Sequence, residues 1–226
     1  NSSEHYETVT YWYGLPAASL IKTDELSVGD LASEKAHGYR SPDASEPVQI
    51  TSRYEWGVDH LDGREIYPPR TEVGRSMAGT SEFTLNLLPE NLGVMLRRTL
   101  DCSFPNQRAE VFVAAARGNP HGEDSIHWRL AGVWYLAGSN TCVYSNPPTE
   151  LGATEHVIET SNRRLRDDEF LIPRNLTEGY HAIRVRIRFT PVNIPLFPGA
   201  APQKLAWSEI RYTAYCFVMP AFRQEP

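Results

Sequence analysis

The 226 residues contain no apolar run near the ~20 residues that a bilayer-spanning helix needs, so no such helix is expected and no membrane partner with it. Cysteine is scarce. Cys102, Cys142 and Cys216 are widely spaced and form no Cys-x-x-Cys pair, which disfavours a zinc site. One disulfide with one free thiol, or three buried thiols, are the alternatives left. Positive charge is also short, because 22 Lys and Arg stand against 28 Asp and Glu for a formal net charge of -6. That sign is wrong for a phosphate-backbone partner, and nucleic acid is not expected. A Gly-x-Ser-x-Gly elbow, a phosphate-binding loop and a dinucleotide fingerprint are all missing. A serine triad and nucleotide chemistry therefore lack sequence support, and no cofactor is expected.

Period-two alternation is what the chain has in plenty. Phe83, Leu85 and Leu87 share one face of their run while Glu82, Thr84 and Asn86 share the other. Between Ala182 and Thr190, Ile183, Val185, Ile187 and Phe189 point one way and Arg184, Arg186 and Arg188 the other, as in a strand with one buried face. A long strand is expected over Trp207–Met219, with Ile210, Tyr212, Ala214, Cys216 and Val218 inward. Further strands are expected at Val48–Tyr54, Val94–Asp101, Arg108–Val113, Gly132–Tyr135, Glu155–Thr160 and Glu169–Ile172. One short helix is expected over Leu31–His37, capped by Asp30 and stopped by Gly38. The 17 Pro and 15 Gly fall between these runs, as turns do in antiparallel sheets. The fold class is all-β: a jelly roll or β-sandwich of antiparallel strands with one short helix and long loops. The long loops are expected at Gly57–Thr80, Ala114–Arg129 and Pro191–Lys204.

The opening is unusual. Asn1 follows no Met and no apolar leader, yet His5 to Gly14 is already a β-rich aromatic run. Such a strand is costly to leave unpaired, so Asn1 is expected to be a cut within a larger polypeptide or the stump of a processed precursor.

Tyr6-Glu7-Thr8-Val9-Thr10-Tyr11-Trp12-Tyr13 resembles the last core strand of the glycoside hydrolase family 172 domain, where a similar Ser-Val-Ala-Tyr-Trp-Tyr run closes the second of two jelly rolls. Val94–Asp101, Pro105–Val111, Ala131–Tyr135 and Asp168–Pro173 resemble the extra C-terminal sandwich of longer members. The resemblance implies four parts. Residues 1–14 are the closing strand of an upstream jelly roll, 15–46 a connecting segment with the short helix, 47–220 the C-terminal β-sandwich and 221–226 a tail. It further implies an accessory portion of a furanoside-acting enzyme, α-fructofuranosidase-like or α-arabinofuranosidase-like. The implied partners are the upstream jelly roll, carbohydrate and further copies in a homo-oligomer. The family's catalytic carboxylates belong to a Gly-Thr-Glu-Asp-Tyr-Phe-like motif upstream of the Tyr-Trp-Tyr strand. No such motif lies between Asn1 and Pro226, so none of those residues carries over to this chain. A secreted or extracytoplasmic setting is expected. The sequons Asn1-Ser2-Ser3 and Asn175-Leu176-Thr177 matter only for a secretory eukaryote.

Glycoside hydrolysis needs two carboxyls, one with a raised pKa. Glu4 and Glu7 beside the opening strand are the catalytic candidates, and Glu55, Glu72 and Glu82 surround the first long loop. Sugar binding needs less: an aromatic face for the C–H side of the ring, with Arg, Asp or Glu for its hydroxyls. Arg53, Glu55 and Trp56 have that composition in one loop, and Trp128 with Arg129 in another. Trp134, Tyr135 and Trp207 lie in strands, and the two tryptophans are expected in the core. His121, Glu123, Asp124 and His127 are read as loop polarity, and no metal ligand is assigned. Arg184, Arg186 and Arg188 are read as pairing across the sheet with carboxylates such as Asp167, Asp168 or Glu169, in preference to a cationic stripe for an acidic glycan. Three alternatives remain beside the accessory reading: an independent carbohydrate-binding module using Trp56 and Trp128, a structural or assembly domain, and a self-sufficient hydrolase.

Overall fold

A computed structural model describes residues 9, 19–52, 60–61, 64–65, 69–116, 126–146, 155–160, 164–195 and 203–219, and among these described residues the chain forms fifteen strands. In chain order they are β1 (Leu20–Ser27), β2 (Val48–Ser52), β3 (His60–Leu61), β4 (Arg64–Glu65), β5 (Arg70–Met77), β6 (Thr80–Asn86), β7 (Gly93–Asp101) and β8 (Gln107–Ala115). After these come β9 (Arg129–Leu136), β10 (Thr141–Asn146), β11 (Glu155–Thr160), β12 (Leu165–Pro173), β13 (Ala182–Phe189), β14 (Trp207–Glu209) and β15 (Arg211–Phe217). The short helix α1 spans Leu31–Ala36. Asp30 caps it by accepting from the amides of Ala32 and Ser33, and Gly38 follows it at φ +59°.

One four-stranded sheet has the order β1-β15-β7-β12 and the other β6-β13-β8-β9, with every pairing antiparallel. Counting only these eight strands along the chain, the first sheet runs first-eighth-third-sixth and the second runs second-seventh-fourth-fifth. That is the doubly wound Greek-key order of a jelly roll. A smaller sheet, β14-β5-β2, extends one end, and β3–β4 and β10–β11 are separate two-stranded pairs.

The core lies between the two large sheets. Phe83, Leu85, Val94, Leu96, Val111, Ile172, Ile183, Val185 and Ile187 are buried there, as the alternation predicts for β6 and β13. Trp134 of β9 stacks on Phe170 of β12 at 5.4 Å between ring centroids, a contact from one sheet to the other. Trp134 and Trp207 are buried, as expected, but Tyr135 is 44% exposed on the outer face. Cys102 and Cys216 are free and buried.

The structure corrects four expectations. Residues 15–46 are not merely a connector, because β1 pairs with β15 and forms an edge of the first sheet. The expected strand Trp207–Met219 is two strands in different sheets. The chain changes sheets at Ile210, whose amide donates to Thr99 O and whose carbonyl accepts from Val28 N. Gly57–Thr80 is not one long loop: it contains β5, whose charges are held by partners, Arg75 by Glu34 and Glu72 by Arg211. Finally, the β13 arginines pair across the sheet with carboxylates, as expected, but the partners are Glu82 on β6 and Glu110 on β8 in place of Asp167, Asp168 or Glu169. Those acids, on β12 of the other sheet, accept from Thr99 and Arg97 of neighbouring β7 and from Trp134 Nε1, which reaches across from β9.

Candidate functional site

The outer face of the second sheet is set by its register. Arg188 lies opposite Thr80 on β6 and Glu110 on β8, while Arg186 lies opposite Glu82 and Phe112. Since Ile183, Val185 and Ile187 fill the core, the intervening arginines must point outward. Trp128, immediately before β9, folds over this face. Its ring centroid is 4.1 Å from the guanidinium carbon of Arg186 and 5.6 Å from that of Arg184. Thr80, Glu82, Phe112, Trp128, Arg186 and Arg188 line an open recess of about 430 Å³.

Polar groups in the recess hold one another in place. Glu82 Oε1 accepts from Arg186 Nε at 2.6 Å, and Glu82 Oε2 accepts from Arg184 Nη2 at 3.1 Å. Arg188 donates through Nε to Glu110 Oε2 at 2.8 Å, and its guanidinium lies 4.9 Å from the Phe112 ring centroid. A cation over an aromatic face gains about 0.5–1 kcal/mol at exposed sites and more when desolvated. The result is a partly desolvated patch with two aromatic rings and preordered hydrogen-bonding groups. Such a surface can stack the C–H face of a sugar while planar side chains take its hydroxyls.

Of the expected site residues, Trp128 is in the recess and Arg129 is not. A β-bulge explains the separation: Val111 pairs with Gly132 but Phe112 pairs with Leu130, leaving Ala131 as the extra residue. Leu130 is thereby opposite outward-facing Phe112, and Arg129 is opposite buried Val113. Arg129 Nη1 donates instead to Asn175 O, beyond the end of β12. Glu4, Glu7, Arg53, Glu55 and Trp56 lie outside the described residues, as do His121, Glu123 and Asp124. His127 is exposed. Glu72 and Glu82, expected around one loop, sit on β5 and β6 with separate arginine partners. Sequence reading missed Phe112 and Thr80. The alternation of β8 and β6 predicts that both face outward, but strand adjacency, which alternation does not encode, brings them together.

A second polar cluster is sealed inside. Glu209, fully buried, accepts from Ser81 Oγ at 2.5 Å, Tyr39 OH at 2.6 Å and Tyr212 OH at 2.7 Å. Desolvation pushes its pKa above the usual carboxylate range despite these hydroxyls and the charge of Arg98. Among the described residues this is the carboxyl that burial raises, and its three hydroxyl partners tie β14 to β6, β15 and the segment after α1.

No protein-family model matches this chain, and no curated protein matches it either. Among solved structures it is similar to the K1 cleaved adhesin domain of Lys-gingipain from Porphyromonas gingivalis W83. The identity is 8%, with 89% of this chain and 99% of that one covered, at a TM-score of 0.35, a likeness too slight to bear on function.

Proposed function

We propose that this jelly roll recognises glycans, as the accessory β-sandwich of a furanoside-acting glycoside hydrolase of the family 172 kind, and that sugar docks in the recess beside Trp128. The observation that carries the binding reading is the stack of Trp128 on Arg186 and Arg184, with Glu82 locking both guanidiniums. An indole beside ordered donors and acceptors supplies both halves of sugar recognition, a flat apolar face and directional polar contacts. The family link rests on the sequence resemblance alone.

Calorimetric titration against arabinofuranosyl, fructofuranosyl, neutral pyranosyl and uronate-containing oligosaccharides tests this reading. Binding to at least one, lost in Trp128→Ala with the fold intact by circular dichroism, is expected. Failure to bind any, or affinity unchanged in Trp128→Ala, overturns it. The same sheet favours a second reading, assembly, through Leu130, Val133 and Tyr135, which are exposed in a row beside Phe112. Sedimentation of Val133→Glu beside the unaltered chain decides that one, since a self-associating face would lose its larger species.

A further inference from the structure

We infer that the recess prefers an acidic saccharide, one carrying a uronate carboxylate, over its neutral counterpart. The inference rests on the glycan-binding reading and adds the charge of the ligand.

Arg184, Arg186 and Arg188 lie side by side at alternate positions of β13, and the carboxylates that meet them are Glu82 and Glu110. One carboxylate, Glu82, serves two guanidiniums, with Arg186 Nε and Nη2 both directed at Oε1 and Arg184 Nη2 at Oε2. Among these described groups, three positive charges face two negative ones, on a chain whose overall charge is -6. Two of these guanidiniums lie against aromatic rings of the recess, Arg186 over Trp128 and Arg188 over Phe112.

Hydrogen-bond inventory points the same way. A neutral sugar presents hydroxyls that need acceptors as well as donors, but here both carboxylates are already engaged by arginine. Each guanidinium has five N–H donors and no acceptor, so the donors outnumber the acceptors at this surface. A ligand carboxylate takes two parallel N–H bonds from arginine, and its pyranose ring offers Trp128 an apolar face. The complementary ligand is therefore an acceptor-rich anion joined to a flat C–H surface, which describes a uronic acid.

Matched pairs separate charge from sugar shape. Oligogalacturonate against its fully methyl-esterified form, and glucuronic-acid-substituted xylan oligosaccharides against unsubstituted ones, are titrated into the whole chain at low and moderate salt. In at least one pair the acid is expected to bind about tenfold more tightly, with the advantage shrinking as salt rises. Arg186→Gln is expected to remove most of that advantage, and Arg186→Lys to restore part of it through charge without the bidentate geometry. Trp128-dependent binding in which acidic and neutral members are equal, or in which only neutral furanosides bind, overturns the charge inference and leaves the glycan reading standing. Absence of any Trp128-dependent binding overturns both.

Discussion

The guanidinium carbon of Arg98 lies 3.3 Å from the centroid of the Trp207 ring and 5.1 Å from that of Trp134, all three side chains buried. Arg98 Nη1 donates to Gln107 Oε1 and Ser208 O, whereas Nε and Nη2 have no hydrogen-bond partner among the described residues. Burial lowers its pKa to about 10, so it remains charged at neutral pH inside the sandwich. A buried cation is costly to desolvate, and here stacking and the dipoles of Gln107 and Ser208 offset that cost.

That arrangement separates volume from charge as reasons for keeping Arg98. Arg98→Ala leaves a void between two indoles and is expected to cost about 3 kcal/mol or more. Arg98→Met fills most of the space and removes the desolvated charge. Gln107 Oε1 still accepts from Ser208 N, so the loss should be about 1 kcal/mol. Urea unfolding of the two variants checks the difference. Equal losses would mean that the charge, not the packing, is what the core requires.

Glu209 makes stability depend on pH with a definite sign. Its folded pKa lies above the ordinary value of 4.5, chiefly through desolvation. Between about 4.5 and the folded pKa, the native state holds a proton that the unfolded state has released. Stability from this group is therefore fullest below that window and declines as pH rises through it. Glu209→Gln removes the titration. The stability difference between the unaltered chain and the variant, measured by thermal unfolding from pH 4 to 8, should shift in the variant's favour as pH rises. Parallel curves would rule the linkage out.

Gly74 is expected to be intolerant for a packing reason. A Cβ built there would lie 2.6 Å from Ile210 Cγ1 and 2.7 Å from the carbonyl oxygen of Glu209, at the point where the chain leaves β14 for β15. Backbone on that side cannot yield without disturbing the β5–β14 ladder, in which Arg75 pairs with Glu209. Gly74→Ala should cost about 1–3 kcal/mol, read from the urea midpoint. A neutral result would show that β14 can move away from β5 freely.

Much of this fold was legible because its core strands obey the two-residue period. The inward set of β13 and the helix with its Asp30 cap follow directly from residue order. β1 escaped because its pattern is diluted: of Leu20 to Ser27 only Leu26 is fully buried, and Ile21 is 41% exposed. β5 escaped because Arg70, Glu72 and Arg75 look like loop charge until Glu34, Arg211 and each other are seen to pair them. The site was half legible. Trp128 stood out as a loop aromatic, but its neighbours come from β6, β8 and β13, which Greek-key winding brings together across ~100 residues of chain. Arg129 beside it lies outside the recess, since one extra residue at Ala131 alters which face its neighbours take.

The recess should be energetically cheap to alter, in contrast to the core. Glu82 and Arg186 are 21% and 33% exposed, and partly solvated ion pairs contribute about 0–1 kcal/mol to stability. A double-mutant cycle of Glu82→Gln and Arg186→Gln should give a coupling energy of about 0.5–1 kcal/mol, and either single variant should keep its unfolding transition within a few degrees. Glu82→Gln is the more informative arm. It leaves Arg184 and Arg186 facing each other beside Trp128 without their shared carboxylate, so their mutual repulsion should show as a stability loss that added salt reduces. Arg186→Gln should show no such rescue, because Glu82 keeps Arg184. Salt-insensitive losses in both variants would mean that the two side chains act by packing alone, and that the ladder is not the charged surface its geometry describes.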